Sequence, residues 1–383
     1  MSVKNKMIMD AANKVASLAK KITELPLGKP SFLPKERYTA KDFDLKNFRP
    51  IESIDGQIQG TQDSGLKTVK LAFLDGGNLA LIDAPSFSVH FERVYANCFE
   101  GDKRVALKTP SKIEFFAVAT SSGTVSDTVD NLDYKITFVP LNQEHRKYLP
   151  DEKDLVFDSY DESMRVGFER MEISRMGDIA RSFAEWNCAR FICEGLDSGD
   201  IFVRDGTLHA PYSNQARYAD RAYDTARKRG VLFCGVSKTS QLYTTTGLPL
   251  VAAIGRLARE NKIKAPGYYE NVVDITDPAH KADLSFARFH ARSDHTFRVE
   301  ILKGQEEHKD AIMSALAENS RDISFPGYPY GLVDADKNAR VSYDELEALR
   351  MLLFLQISKT GKFEVFKDFL SSGNAHDWLN RIV

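Results

Sequence analysis

The chemistry available to this chain rests on its carboxylates. Asp75, in Leu71-Ala-Phe-Leu-Asp75-Gly-Gly, and Asp205, in Ile201-Phe-Val-Arg-Asp205-Gly, each follow a short apolar run and precede glycine. Apolar runs bounded by turn residues mark strands buried on both faces. Each aspartate is therefore expected at a strand tip, rigidly held and open to solvent. Glu185 lies one helical turn beyond Arg181, and a further acidic pair falls at Asp334 and Asp336. Taken singly, an Asp before Gly is most often only a turn cap. Taken together, such groups could do the work of two-metal phosphodiester hydrolysis, in which several carboxylates converge on ions roughly 4 Å apart. Their hard oxygens suit Mg²⁺ or Mn²⁺. Spacing alone does not establish that they converge.

The elements that would carry them follow from periodicity. Apolar residues from Ile8 to Ile22 recur at three- and four-residue spacing, which predicts an N-terminal helix over 1–24. It would pack on its own domain or on a partner, with own-domain packing slightly favoured. Pro26, Pro30 and Pro34 end it, and 25–65 reads as an irregular arm. From Thr68 the pattern becomes strand-like, with a β-hairpin predicted to turn at Asp75-Gly-Gly-Asn78. Further strands are expected at 89–97, 113–120 and 134–139, and helices at 160–195 and 212–229. The second helix carries Arg217, Arg221 and Lys228 near one side, a stripe that could meet phosphate or simply face water. Val231–Val236 is a second buried strand, ending at Lys238. Paired strands at 284–290 and 295–302 precede a helix at 308–319, and a long helix is expected from about Ala335 to Ile357. Alternating helices and short apolar strands define an α/β core. The expected domains are an arm at 1–65, a main domain at 66–358 with an insertion near 241–283, and a tail at 359–383.

Composition narrows the class. At 383 residues, with 43% hydrophobic and 28% charged residues, the chain has ordinary globular character. A formal net charge of −2 gives no global basic field for nucleic acid. No apolar run approaches the roughly 20 residues of a membrane span. Cys98, Cys188, Cys193 and Cys234 form no Cys-x-x-Cys pair. With no secretory signature at the N-terminus, a reducing cytoplasm is expected.

Asp334 to Glu345 also resembles an EF-hand calcium loop, with donors at loop positions 1, 3, 5, 9 and 12. Ala339 occupies the position that needs glycine, and Pro326 and Pro329 prevent an entering helix. A calcium module at 334–345 is thus the weaker reading of this segment.

In order along the chain, several motifs resemble those of the NurA nuclease family. They are Leu71-Ala-Phe-Leu-Asp75-Gly-Gly with Phe91-Glu-Arg93-Val, Arg181-x-x-x-Glu185, and Val203-Arg-Asp205-Gly-Thr-Leu208. Gly235-Val-Ser-Lys238-Thr-Ser240 and Gly327-Tyr328-Pro-Tyr-Gly-Leu332 with Ala335-Asp336 complete the set. The resemblance implies an RNase H-like core with a mixed sheet flanked by helices, inserted hairpins and an N-terminal helix. It also implies a DNA nuclease, a single-strand endonuclease and 5′-to-3′ exonuclease, binding two Mn²⁺ or Mg²⁺ ions. The implied ligands are Asp75, Glu185 and Asp205, with Tyr328 close by and Lys238 either near the scissile phosphate or holding a carboxylate in place. Glu172 and Glu194 are alternatives for the helix carboxylate. Where the family commonly carries a histidine ligand, eight residues past the tyrosine, this chain has Asp336. Asp336 or its neighbour Asp334 could serve, or the protein could be a catalytically weak subunit regulating a DNA translocase. The implied partners are a HerA-like hexameric ATPase and a second copy of the chain, with no membrane.

Overall fold

The computed structural model describes residues 3–52, 69–125, 130–165, 167–323, 325–361 and 364. In chain order the helices are α1 (Val3–Thr23), α2 (Met176–Gly195), α3 (Gln215–Arg229), α4 (Leu250–Glu260), α5 (Lys309–Glu318), α6 (Tyr330–Ala339) and α7 (Tyr343–Lys359). The strands that matter here begin with β1 (Phe48–Pro50), β2 (Lys70–Ala84), β3 (Phe87–Glu100), β4 (Lys112–Val125), β5 (Asp130–Pro140) and β6 (Val156–Asp158). They continue with β7 (Ile201–Asp205), β8 (Leu232–Ser237), β9 (Gly267–Tyr269), β10 (Ala282–Arg288) and β11 (Phe297–Leu302). Two compact units form, one from Met1–Gln62 with Gly235–Tyr328, the other from Asp63–Cys234 with Pro329–Val383.

The second unit is built on the strand order β8-β7-β2-β3-β4-β5-β6. β2, β3 and β4 form an antiparallel meander, and β7 returns parallel to β2. Counted along the chain, the five core strands stand third, second, first, fourth, fifth, which is the RNase H-like arrangement. The expected α/β class with a mixed sheet flanked by helices is therefore the one observed. Leu71–Leu74 and Ile201–Arg204 are buried on both faces, as central parallel strands demand. α2 covers them. It is buried over most of its length and circumference, with Met176, Ile179, Phe183, Trp186 and Ile192 among the buried residues, as in a helix enclosed by its neighbours. Trp186 packs on Tyr223 and Phe233, and α3 ends at Gly230 in the left-handed conformation.

Three expectations change here. β2 does not turn at Asp75-Gly-Gly-Asn78; it pairs with β3 without reversal to Ala84↔Phe87. Gly76 and Gly77 serve close approach instead of a turn, and neither has positive φ. A Cβ at Gly76 would lie 2.5 Å from Glu185 Oε1, and one at Gly77 would overlap the carbonyl of Ala339. Residues 160–165 and 167–175 are turns, bends and a short 3₁₀ turn, with α2 beginning only at Met176. There the Asp158 and Asp161 carboxylates accept backbone N–H bonds from Tyr160 and Ser163 at 2.7 and 2.8 Å, a local competitor to helix. The helix expected from Ala335 to Ile357 is two helices, because Ser342 caps α7 by accepting from the Glu345 N–H at 3.2 Å.

The first unit contains the antiparallel order β1-β9-β10-β11. The N-terminal arm is woven into it: 30–31 pairs with 243–244, and 38–40 with 273–275. Lys309 is held between Glu270 and Asp283 at 2.9 and 2.7 Å. Contrary to the own-domain expectation, α1 leaves its apolar stripe in solvent: Ile8, Val15, Leu18 and Ile22 are 59%, 65%, 49% and 53% exposed. Among the described residues no helix is long and apolar enough to cross a membrane.

A Cβ at Gly331, in the first turn of α6, would overlap the ring of the fully buried Phe73 on β2. Gly331→Ala is expected to destabilise the fold by about 1–3 kcal/mol through overpacking, read as a lower urea midpoint at unchanged m-value.

Candidate metal centre

Strand register brings two of the carboxylates together. The parallel pairing of β7 with β2 runs Ile201↔Leu71 to Arg204↔Leu74, so Asp205 and Asp75 occupy the next level on adjacent strands. Gly76 N–H donates to Asp75 Oδ1 at 2.7 Å. After Asp205 the chain turns at Gly206, whose φ of +110° few other residues adopt. Arg204 Nη1 closes that turn by donating to the Thr207 carbonyl at 2.6 Å. The third member comes from α6: Asp75, Asp205 and Asp336, each half-buried, can offer oxygens that all lie within 4.8 Å of one another. The donor set is all hard oxygen, which fits a Mg²⁺- or Mn²⁺-type ion.

α6 is fixed from several sides. Asn97 Nδ2 on β3 donates to the Gly331 carbonyl at 2.9 Å and to Asp334 Oδ2 at 2.7 Å. Arg104 pairs with the same Asp334 carboxylate, and Asn338 donates to its other oxygen at 3.2 Å. Asp334 is thus a structural anchor of the helix, and Asp336 is the residue that joins the cluster. Arg340 Nη2 lies 2.7 Å from Asp336 Oδ2. Beyond the helix end, Arg93 donates to the Arg340 carbonyl at 3.0 Å and pairs with Glu345 and Glu114. The EF-hand reading fails on the same facts. Residues 334–339 are helical and cannot wrap an ion, while Ser342 and Glu345 form a helix cap.

Glu185 stands outside the cluster. It is 2% exposed, with Oε1 accepting from Arg181 Nη1 at 2.7 Å and Oε2 from Arg204 Nη2 at 2.6 Å. Arg181 also donates from Nε to Asn78 Oδ1 at 3.1 Å and from Nη1 to the Gly76 carbonyl at 3.3 Å. Although burial works against its charge, Glu185, Glu92, Asp178 and Asp75 hold the Arg181 guanidinium above its usual range. Beneath α2, burial pushes the Glu92 carboxyl well above the usual carboxylate range, against the pull of Arg181. Desolvation likewise lowers His90 to about 4. The His90 side chain is therefore neutral near pH 7.

The other expected residues lie elsewhere. Lys238 is exposed and immediately follows β8. Tyr328 belongs to the first unit and is buried against Phe297 and Phe325. Arg217, Arg221 and Lys228 are exposed on α3, with Arg217 paired to Asp154 at 2.7 Å. Of the alternatives to Glu185, Glu172 precedes α2, and Glu194, near its end, lies 3.7 Å from Arg190. Sequence reasoning missed Arg204 and Asn97. For Arg204 the one available signal was an arginine inside an otherwise apolar strand, beside the Asp.

An RNase H-like core with acidic side chains gathered at its strand ends is the design of a nuclease class. The family model for the NurA domain matches residues 69–341, well over half of the chain, and the chain belongs to the NurA family. No curated protein matches it. Among solved structures it is similar to the NurA nuclease from Sulfolobus solfataricus, with 13% identity, a TM-score of 0.45, and 94% and 98% of the two chains covered. It is also similar to Endonuclease V of Ciona intestinalis in complex with DNA (11% identity, TM-score 0.34, 78% of this chain and 92% of that one). An Argonaute of Aquifex aeolicus follows, with 11% identity, a TM-score of 0.29, and 72% and 29% covered.

Asp334 and Asp336 make separable predictions. Asp336→Asn should weaken Mn²⁺ binding, measured calorimetrically, with little change in melting temperature. Asp334→Asn should keep Mn²⁺ binding within about tenfold and cost about 1–3 kcal/mol of stability, because Arg104 and Asn97 lose a charged acceptor.

Proposed function

We propose that this protein is a divalent-metal-dependent DNA nuclease that hydrolyses phosphodiesters at Asp75, Asp205 and Asp336. The convergence of these three carboxylates within 4.8 Å carries the reading, and membership of a nuclease family supports it. Divalent ions bound there would supply an activated water and stabilise the leaving oxygen. Asp75 and Asp205, fixed by strand pairing, would hold the reaction centre rigidly, and Asp336 would close it from the helix side. An aspartate replacing the family's histidine keeps the donor set anionic, which favours a hard cation. The family resemblance puts Tyr328 close to the site and Lys238 near the scissile phosphate or against a carboxylate, and the charge of Arg217, Arg221 and Lys228 suits them to the DNA backbone.

The expected activities are single-strand endonuclease and 5′-to-3′ exonuclease cleavage. Asp205→Ala should lower Mn²⁺-dependent cutting of single-stranded DNA at least 100-fold, with the melting temperature nearly unchanged. Equal rates for variant and wild type would overturn the proposal. A wild-type chain that binds Mn²⁺ but cuts nothing, alone or with a translocase present, would favour the catalytically silent regulatory subunit instead.

Assembly with a second copy and with a HerA-like hexameric ATPase is supported by uncovered apolar helix faces. α1 exposes Ile8, Val15, Leu18 and Ile22, and α7 exposes Met351, Leu352 and Leu355. Light scattering should give a dimer for the wild type and a monomer for the Val15→Glu, Leu18→Glu double variant. A HerA-type hexamer should shift the dimer to larger mass; an unchanged mass would remove that partner.

A further inference from the structure

In this family-like setting a helix carboxylate beside two strand aspartates invites assignment as another ligand. The geometry points elsewhere. Both Glu185 oxygens hold a guanidinium, at 2.7 and 2.6 Å, and the side chain is 2% exposed. The two arginines lead to different strands. Arg181 binds the Gly76 carbonyl and Asn78, one and three residues past Asp75 on β2. Arg204 binds the Thr207 carbonyl, two residues past Asp205, and lies with its guanidinium 4.8 Å from the Trp186 ring centroid. The Glu185 carboxylate reaches the space that the absent Gly76 side chain leaves open. The connections thus run from β2 through Arg181 to Glu185, and on through Arg204 to the turn after β7.

We infer that Glu185 is a positioning residue that clamps the Asp75 strand to the Asp205 turn through Arg181 and Arg204, and is not itself a metal ligand. This rests on the proposed metal nuclease. The clamp does what strand pairing cannot. Backbone hydrogen bonds fix the register of β2 and β7, but each aspartate lies where that pairing ends. A charge-assisted bridge across the gap keeps the two carboxylates at one separation. Groups of this outer kind typically change affinity or activity by about 10–100-fold when removed.

The test compares Glu185→Gln, Arg204→Gln, the double variant and Asp205→Asn, with calorimetric Mn²⁺ titration and steady-state cleavage of single-stranded DNA. Glu185→Gln and Arg204→Gln are each expected to keep the Mn²⁺ isotherm and to lower kcat about 10–100-fold at unchanged KM. The double variant should be no worse than either single one, because both remove the same bridge. Asp205→Asn should lose the isotherm. The clamp is overturned if Glu185→Gln loses Mn²⁺ binding as Asp205→Asn does. It is equally overturned if Arg204→Gln leaves kcat at the wild-type value; this arm needs no change at Glu185 and holds if Glu185→Gln fails to fold. A wild-type chain that neither binds Mn²⁺ nor cuts DNA ends the nuclease reading first, and is recognised without any variant.

Discussion

The parallel pairing of β2 with β7 is the constraint on which the site depends. It sets Leu74 opposite Arg204, and so brings Asp75 level with Asp205. Because side chains alternate faces, a slip of one residue would carry one aspartate to the opposite face. What prevents the slip is burial: Ile201, Phe202 and Val203 and their partners Leu71, Ala72 and Phe73 are enclosed on both sides. The apolar core thus fixes the register of two strands whose ends carry charged groups that contribute nothing to it.

Gathering acids costs free energy, and the structure distributes the compensation. Asp75, Asp205 and Asp336 share one small volume, with Glu185 beside them and Glu92 beneath the same helix. Removing an ion from water costs several kcal/mol unless it is paired and hydrogen-bonded. Arg181 and Arg204 meet that need at Glu185, and Arg340 pairs with Asp336. Glu92 is handled differently: burial pushes its carboxyl well above the usual carboxylate range. The cluster itself is the part whose charge a cation would complete.

The α/β class was legible from the alternation of buried strands and helices, and Asp75 and Asp205 from apolar runs ending in an acid. The failures have local causes. Asp75-Gly-Gly-Asn78 carries a strong turn signal, yet the glycines are there because a helix carboxylate and the Ala339 carbonyl come too close for any side chain. No sequence pattern distinguishes a glycine kept for conformation from one kept for space. Ser342-Tyr-Asp-Glu345 is a capping box that also fits the end of a calcium loop, and only the helix before it decides the matter. Of the partners of Glu185, Arg181 was legible one helical turn away, but Arg204 was not, because it is separated from Glu185 by a turn and a strand and meets it only in the packed core.

Asp336 reaches the cluster on a helix near the end of the described chain, whereas Asp75 lies on the first strand of the core. Helix α6 is held by groups of strands already in place: Phe73 against Gly331, Asn97 and Arg104 on Asp334, and Arg93 at its end. During synthesis the meander and the parallel strand can assemble while the third acid is still unmade or inside the ribosome. A prematurely terminated product would carry two of the three carboxylates and lack the one that closes the set.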